Sequence, residues 1–311
     1  MIKVENLKKH YGDIKALDGI SFEVKRGEVL GFLGPNGAGK TTTMKILTGF
    51  IAPTSGDVNI DNLDLLADSL AIKEKIGYLP ESVPLYTDMK VYEYLKFMAE
   101  LRGIKKAKLA SKIKEIVKVC GLEKVLKQNI SELSKGYKQR TALAQAMVHE
   151  PDILILDEPT SGLDPNQIVE IRDLIKKIGA QKTVILCTHI LQEVQAVCSR
   201  VIIINEGKIV AAGTPEELRA KARGQSYIIC QIKGAEPDKV KEVLGVIEGV
   251  KAVFLLPKQF EQGHGYKIEV AAGGDPREII FKKVVENNWE LLSMNQEQVN
   301  LEDIFRELTT N

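Results

Sequence analysis

Residues 34–42 read GPNGAGKTT, directly after the apolar run Val29-Leu30-Gly31-Phe32-Leu33 and directly before a helical segment from Lys40 to about Thr48. The pattern GxxxxGK[ST], set between a buried strand and a helix, is a phosphate-binding loop. Its glycines let successive backbone N–H groups wrap phosphate oxygens, and the helix N-terminus adds its positive end. The spacing puts Lys40 within reach of β- and γ-phosphates and the Thr41 hydroxyl on a Mg²⁺ ion, with Asn36, Gly37, Gly39 and Thr42 completing the cradle. A chance glycine-rich turn is the alternative, and the strand before it and the helix after it weigh against that. Alone, the loop specifies a nucleoside triphosphate, ATP or GTP.

Working outward, Ile153-Leu154-Ile155-Leu156-Asp157-Glu158 is an apolar strand that ends in two carboxylates. Asp157 is placed to hold Mg²⁺ and Glu158 to orient or deprotonate an attacking water; a solvated acidic turn is the bland alternative. A helical stretch (166–178) and a second apolar run, Thr183–Cys187, follow, so strand, helix and strand alternate and the central sheet is expected to be parallel. Residues 2–4 and 20–24 alternate apolar and polar, as strands of an antiparallel layer do. Pro53, Ser55 and Gly56 mark a turn before Val58–Ile60, and Glu206-Gly207 marks a hairpin between 200–205 and 208–212. Over 68–128 the periodicity becomes helical, in VYEYLKFMAELRG (91–103) and LASKIKEIVKVCGL (109–122), and a further helix opens at Ser134, a plausible N-cap, and runs to about His149; the helical insert is expected over about 80–150.

The chain has 311 residues, enough for one large domain and a smaller one. Its 43 basic and 42 acidic residues give a net charge of +1, which lends no support to nucleic-acid binding. Four cysteines without a CxxC pair (Cys120, Cys187, Cys198, Cys230) suit a reducing cytosol, and no stretch approaches the ~20 apolar residues of a membrane span. After a polar stretch at 219–225, read as a linker or fraying helix end, the order strand (226–232), helix (236–247), strand (251–256), strand (266–271), helix (276–287), strand (289–293) is that of a ferredoxin-like unit, closed by an amphipathic helix at 301–308. The expected domains are 1–218 and 226–311.

Residues 133–140, LSKGYKQR, resemble the signature motif of ABC-type ATPases, and the other motifs agree in order over about residues 4–215. Tyr11 resembles the aromatic that stacks on adenine, Ser161-Gly162-Leu163-Asp164 the D-loop, and His189 the switch histidine. The resemblance implies an α/β fold with a mixed-sheet core, an antiparallel β layer and a helical subdomain. It implies ATP and Mg²⁺ as ligands, and head-to-tail pairing in a homodimer or with a partner ATPase chain. Each ATP then lies between one phosphate loop and the signature of the other chain, with Ser134, Gly136 and Asp164 completing the site. Tyr11 also reads as a plain surface aromatic, His189 as a satisfied loop histidine and Ser134 as a helix cap alone. Two departures stand out: Lys135 and Tyr137 replace the usual signature glycine and glutamine, and Glu81 occupies the place of the Q-loop glutamine. GYLPE, LSKGYKQR and NLEDIFREL resemble the ATPases of ABC-2 type exporters, nearest the gliding-motility and multidrug or sodium export subgroup. That implies a cytoplasmic subunit held on the inner face of the membrane by a permease docking near Leu79–Tyr86. Competing readings are a non-transport ABC protein of ribosome or DNA, against which a single cassette and balanced charge argue, and a weakly hydrolysing interaction module.

Overall fold

The structure is a computed structural model and describes residues 1–221, 226–257, 262–271, 275–298 and 301–309. It divides into two compact units, Met1–Pro215 and Glu216–Asn311.

In the first unit the strands β1 (Ile2–Tyr11), β2 (Ile14–Val24), β3 (Val29–Leu33), β4 (Ser55–Ile60), β5 (Leu63–Asp64) and β6 (Ile76–Leu79) precede the helical subdomain, with α1 (Lys40–Leu47) after β3 and α2 (Ser69–Lys75) after β5. Then come α3 (Val91–Leu101), α4 (Lys106–Cys120), α5 (Lys135–Met147), β7 (Ile153–Asp157), α6 (Pro165–Gly179), β8 (Thr183–Thr188), α7 (Leu191–Val197) and the hairpin β9 (Arg200–Asn205) and β10 (Lys208–Gly213). The central sheet runs β10-β9-β3-β8-β7-β6, parallel throughout except for the β9–β10 pair. Such a sheet is covered on both faces, which is why β7 and β8 are apolar almost without interruption and buried at every residue. The antiparallel layer runs β2-β1-β4-β5. Leu7, Phe22, Phe32, Met44 and Ile155 belong to one core that joins this layer to the central sheet, with the rings of Phe22 and Phe32 5.5 Å apart.

Two features differ from the sequence reading. The four residues of β6 form the edge strand beside β7, with Ile76 opposite Ile153, inside a stretch expected to be helical. Helix α8 (Pro215–Lys221) carries regular structure through Lys221, inside the expected linker, whose residues 222–225 lie outside the described residues.

The second unit contains β11 (Ser226–Lys233), α9 (Pro237–Gly245), β12 (Val250–Leu255), β13 (His264–Val270), α10 (Arg277–Glu286), β14 (Glu290–Gln298) and α11 (Leu301–Thr309). Its antiparallel sheet runs β12-β13-β11-β14, the ferredoxin-like arrangement. Ile228, Cys230, Tyr266, Ile268, Val240, Leu244, Ile280 and Val284 join sheet and helices in one core. All four cysteines of the chain are buried and free.

At the foot of the helical subdomain, His149 Nε2 donates to the Ile76 carbonyl at 3.1 Å. Burial, with the nearby Arg102 charge, pushes its pKa down to about 4 from 6.5. The unfolded chain therefore takes up this proton at higher pH than the folded one. The contribution of His149 to stability is complete above pH 6.5 and falls away as pH drops toward 4. The expected outcome is that His149→Gln flattens the decline in Tm across that window, read by thermal denaturation at stepped pH; parallel wild-type and variant curves would remove His149 as the cause.

Candidate functional site

β3 delivers the chain into the phosphate loop with buried residues, and α1 leaves it at Lys40. Gly39 adopts φ +106°, and a Cβ there would stand 2.6 Å from the Ala16 carbonyl oxygen, so only glycine fits. Gly37 also has a positive φ (+81°) but faces open space. The loop is braced from behind: Gly207, in the β9–β10 turn, donates to the Ala38 carbonyl at 3.0 Å, and Asp18 donates to the Gly207 carbonyl at 2.9 Å. The first-turn N–H groups of α1 have no acceptor inside the helix and point toward the loop. Lys40 is 6% exposed; its ammonium donates to the carbonyls of Gly34 (2.8 Å) and Pro35 (3.1 Å).

β7 ends on the carboxylates. Asp157 is fully buried; among the described residues no N–H or O–H donor reaches its oxygens, and the Cys187 thiol is the weak donor beside them. The Cys187 thiol beside it on β8 is pushed well above its usual value, first by burial and then by this carboxylate. Glu158 takes φ +48°, a conformation unfavourable for a residue with a Cβ, and its N–H bonds to the Cys187 carbonyl at 2.8 Å. That backbone aims the side chain at two partners. His189 Nδ1 lies 2.9 and 3.0 Å from the two Glu158 oxygens, and Lys40 Nζ lies 3.8 Å from one of them. Because the carboxylate only accepts, the shared proton is assigned to His189 Nδ1.

Most of the expected site residues fall into two separate hollows, while the fully buried Asp157 lines neither. A cleft of about 530 Å³ is lined by Asn36, Gly37, Gly39, Lys40, Thr41, Thr42, Glu81, Glu158 and His189, together with Ala16 and Ser161. Glu81, just past β6, is exposed on its wall. A second hollow of about 760 Å³ contains Ser134, Gly136 and Asp164. Ser134 caps α5 by accepting the Tyr137 N–H at 3.4 Å, and Asp164 caps α6 by accepting that of Gln167 at 3.0 Å. Tyr11, at the end of β1, is 49% exposed beneath the Lys9 ammonium, 5.1 Å from the ring centre, and lines neither hollow. Ala16 is a wall residue that carries no chemical signal in the sequence, since it enters through the close approach of β2 to the loop.

A phosphate loop between strand and helix, with paired carboxylates and a histidine at the ends of the neighbouring strands, defines a nucleoside-triphosphatase of the P-loop class. The chain belongs to the ABC transporter family of ATP-binding proteins: the ABC transporter profile matches residues 17–161, and the profile of the ATP-binding protein DrrA1-3-like C-terminal domain matches residues 213–309. It is 34% identical to the bacitracin transport ATP-binding protein BcrA of Bacillus licheniformis over 99% of this chain and 97% of that one. It is 30% identical to the linearmycin resistance ATP-binding protein LnrL of Bacillus subtilis over 99% and 98%. A dimeric, post-hydrolysis structure of the ATP-binding cassette MJ0796 bound to ADP and Pi matches with a TM-score of 0.63 and 28% identity, over 69% of this chain and 98% of that one. The chain is thus an ABC ATPase that binds and hydrolyses ATP.

Proposed function

We propose that the protein drives an exporter by closing two cassettes head to tail over two ATP molecules. The observation that carries this is the division of the site residues between two separate hollows of one chain. In this reading Tyr11 stacks on adenine, a role suited to an exposed aromatic at a strand end. Lys40 exchanges the carbonyls of Gly34 and Pro35 for phosphate oxygens, and the loop N–H groups hold the rest. Thr41 and Asp157 would hold Mg²⁺, which when bound neutralises charge on the β- and γ-phosphate oxygens. The Asp157 oxygens, which no N–H or O–H donor reaches among the described residues, fit that role.

Glu158, oriented by His189, takes the proton of the attacking water. Ser134 of the partner subunit supplies a hydroxyl to the γ-phosphate and Gly136 of the partner subunit an N–H, while Asp164 holds the D-loop turn at the start of α6. Glu81 sits on the cleft wall as a sensor beside the nucleotide. No helix among the described residues is long and apolar enough to cross a membrane, which fits a subunit that works through a separate permease on its inner face. The exposed rings of Tyr86, Tyr92 and Phe97, on and before α3, suit that permease as a docking surface. Full-length similarity to proteins named for linearmycin resistance and bacitracin transport supports export of an antibiotic-like compound.

The test is complementation between two dead chains. Lys40→Ala removes the phosphate ammonium, and Ser134→Arg places a bulky side chain at an exposed cap position. Each alone is expected to lose turnover by about 100-fold, whereas a one-to-one mixture regains about a quarter of wild-type activity, because half the dimers then carry one intact site. A mixture no more active than its components would place the whole site within one chain.

A further inference from the structure

Glu193 is a buried carboxylate that neither motif nor mechanism has used. It lies on α7 and is 1% exposed. Its partners are two hydroxyls: Thr160, whose Oγ1 donates to Oε1, and Thr188, whose Oγ1 donates to Oε2 at 2.8 Å. Thr160 is 2% exposed and Thr188 fully buried. No cation forms an ion pair with Glu193 among the described residues, so the two hydroxyls hold it in place.

The positions of these threonines give the arrangement its meaning. Thr160 lies two residues beyond Glu158, in the turn closed by the Ser161 N–H on the Glu158 carbonyl at 3.1 Å and the Leu163 N–H on the Thr160 carbonyl at 3.1 Å. Thr188 ends β8 directly before His189, and its hydroxyl also accepts the Ile190 N–H at 3.1 Å. One carboxylate thus ties the loop bearing the water-activating acid to the loop bearing its histidine. The tie is needed because the imidazole is nearly half exposed (47%), and its contact with Glu158 is a side-chain contact between two loops. The Glu158 N–H bond to the Cys187 carbonyl joins the strand ends but not the loops beyond them, and an acid–base pair displaced by about 1 Å can lose about 100-fold in rate.

We infer that Glu193 is a positioning residue: it clamps the loops after β7 and β8 together beneath the nucleotide and sets the Glu158–His189 geometry. The inference rests on the ATPase reading above. Hydrolysis by the full-length chain is measured against ATP concentration for wild type, Glu193→Ala, Glu193→Gln, Thr160→Val and Thr188→Val, with Glu158→Gln as control. Glu193→Ala is expected to lower kcat by about 10- to 100-fold with KM for ATP within about 3-fold, since the phosphate loop is untouched. Glu193→Gln keeps the shape and one acceptor and is expected to restore most of the turnover, while each valine, shaped like threonine, reproduces part of the loss. Thermal denaturation reports the folded fraction of every variant, so that kcat is given per folded chain.

An unchanged kcat in Glu193→Ala, or a rise in KM parallel to the fall in kcat, overturns the clamp. So does a loss that disappears once the folded fraction is counted. If Glu193→Ala does not fold, the two valine variants decide alone: full turnover in both sinks the proposal. Should Glu158→Gln retain activity, it is the ATPase mechanism that fails; should Glu158→Gln be dead while the Glu193 and threonine variants remain fully active, only the clamp fails.

Discussion

Glu158→Gln is expected to cut steady-state ATP hydrolysis by about 10²- to 10⁴-fold, the usual contribution of a general base, while ATP affinity stays within about 3-fold of wild type. Glutamine has the same shape, still accepts the His189 N–H and keeps the backbone bond to the Cys187 carbonyl, so the loop geometry at φ +48° is preserved. It cannot take a proton from water. Phosphate release and equilibrium nucleotide binding, measured on the same preparation, separate the two effects, and undiminished turnover would end the assignment of this carboxylate. With binding intact and hydrolysis stopped, the variant should also accumulate in the closed, nucleotide-loaded pair.

Asp157→Asn is expected to move stability and activity in opposite directions. The native carboxylate is fully buried, with a weak thiol beside it and no N–H or O–H donor on either oxygen among the described residues, an arrangement that is costly for a charge and much less so for a neutral amide of the same shape. The nucleotide-free variant should melt about 2–4 °C higher, corresponding to about 1 kcal/mol. Turnover should fall by at least about 100-fold, and the rise in Tm that ATP with Mg²⁺ gives the wild type should shrink, because the charge that favours the cation is gone. A variant that melts lower than wild type would mean that the carboxylate is stabilised in the free protein, and the metal assignment would lose its support. Such opposition is the signature of a site that sets binding against folding.

The parts of this molecule that were legible in its sequence are those where chemistry restricts the residue type. A phosphate cradle needs glycines and a lysine at set intervals, and β7 stops being apolar only where Asp157 and Glu158 begin. The second unit was readable because its strands and helices change period cleanly and its sheet follows the expected order. What was hidden depends on distant partners. β6 is a four-residue strand that exists through its pairing with β7, in a region where helical periodicity dominates. β1 runs to Tyr11, well beyond the alternating residues 2–4; its register shifts between Val4 and Leu7, between Leu7 and Lys8 and between Lys9 and His10 break the two-residue pattern that would have marked its length. Glu193 belongs to no sequence motif, and its burial on a seven-residue helix depends on the threonines that arrive from two other loops.

The separation of the two hollows on one chain has a consequence for how the enzyme is regulated. If a working site needs the cleft of one copy and the hollow of another, then in dilute solution specific activity depends on protein concentration and vanishes by mass action as the chain is diluted. A membrane partner that seats two copies side by side replaces that dependence with a fixed local concentration, in the millimolar range for short tethers, about 10³-fold above a micromolar pool. Free copies then leave ATP largely unspent, and hydrolysis begins where a transporter has gathered them.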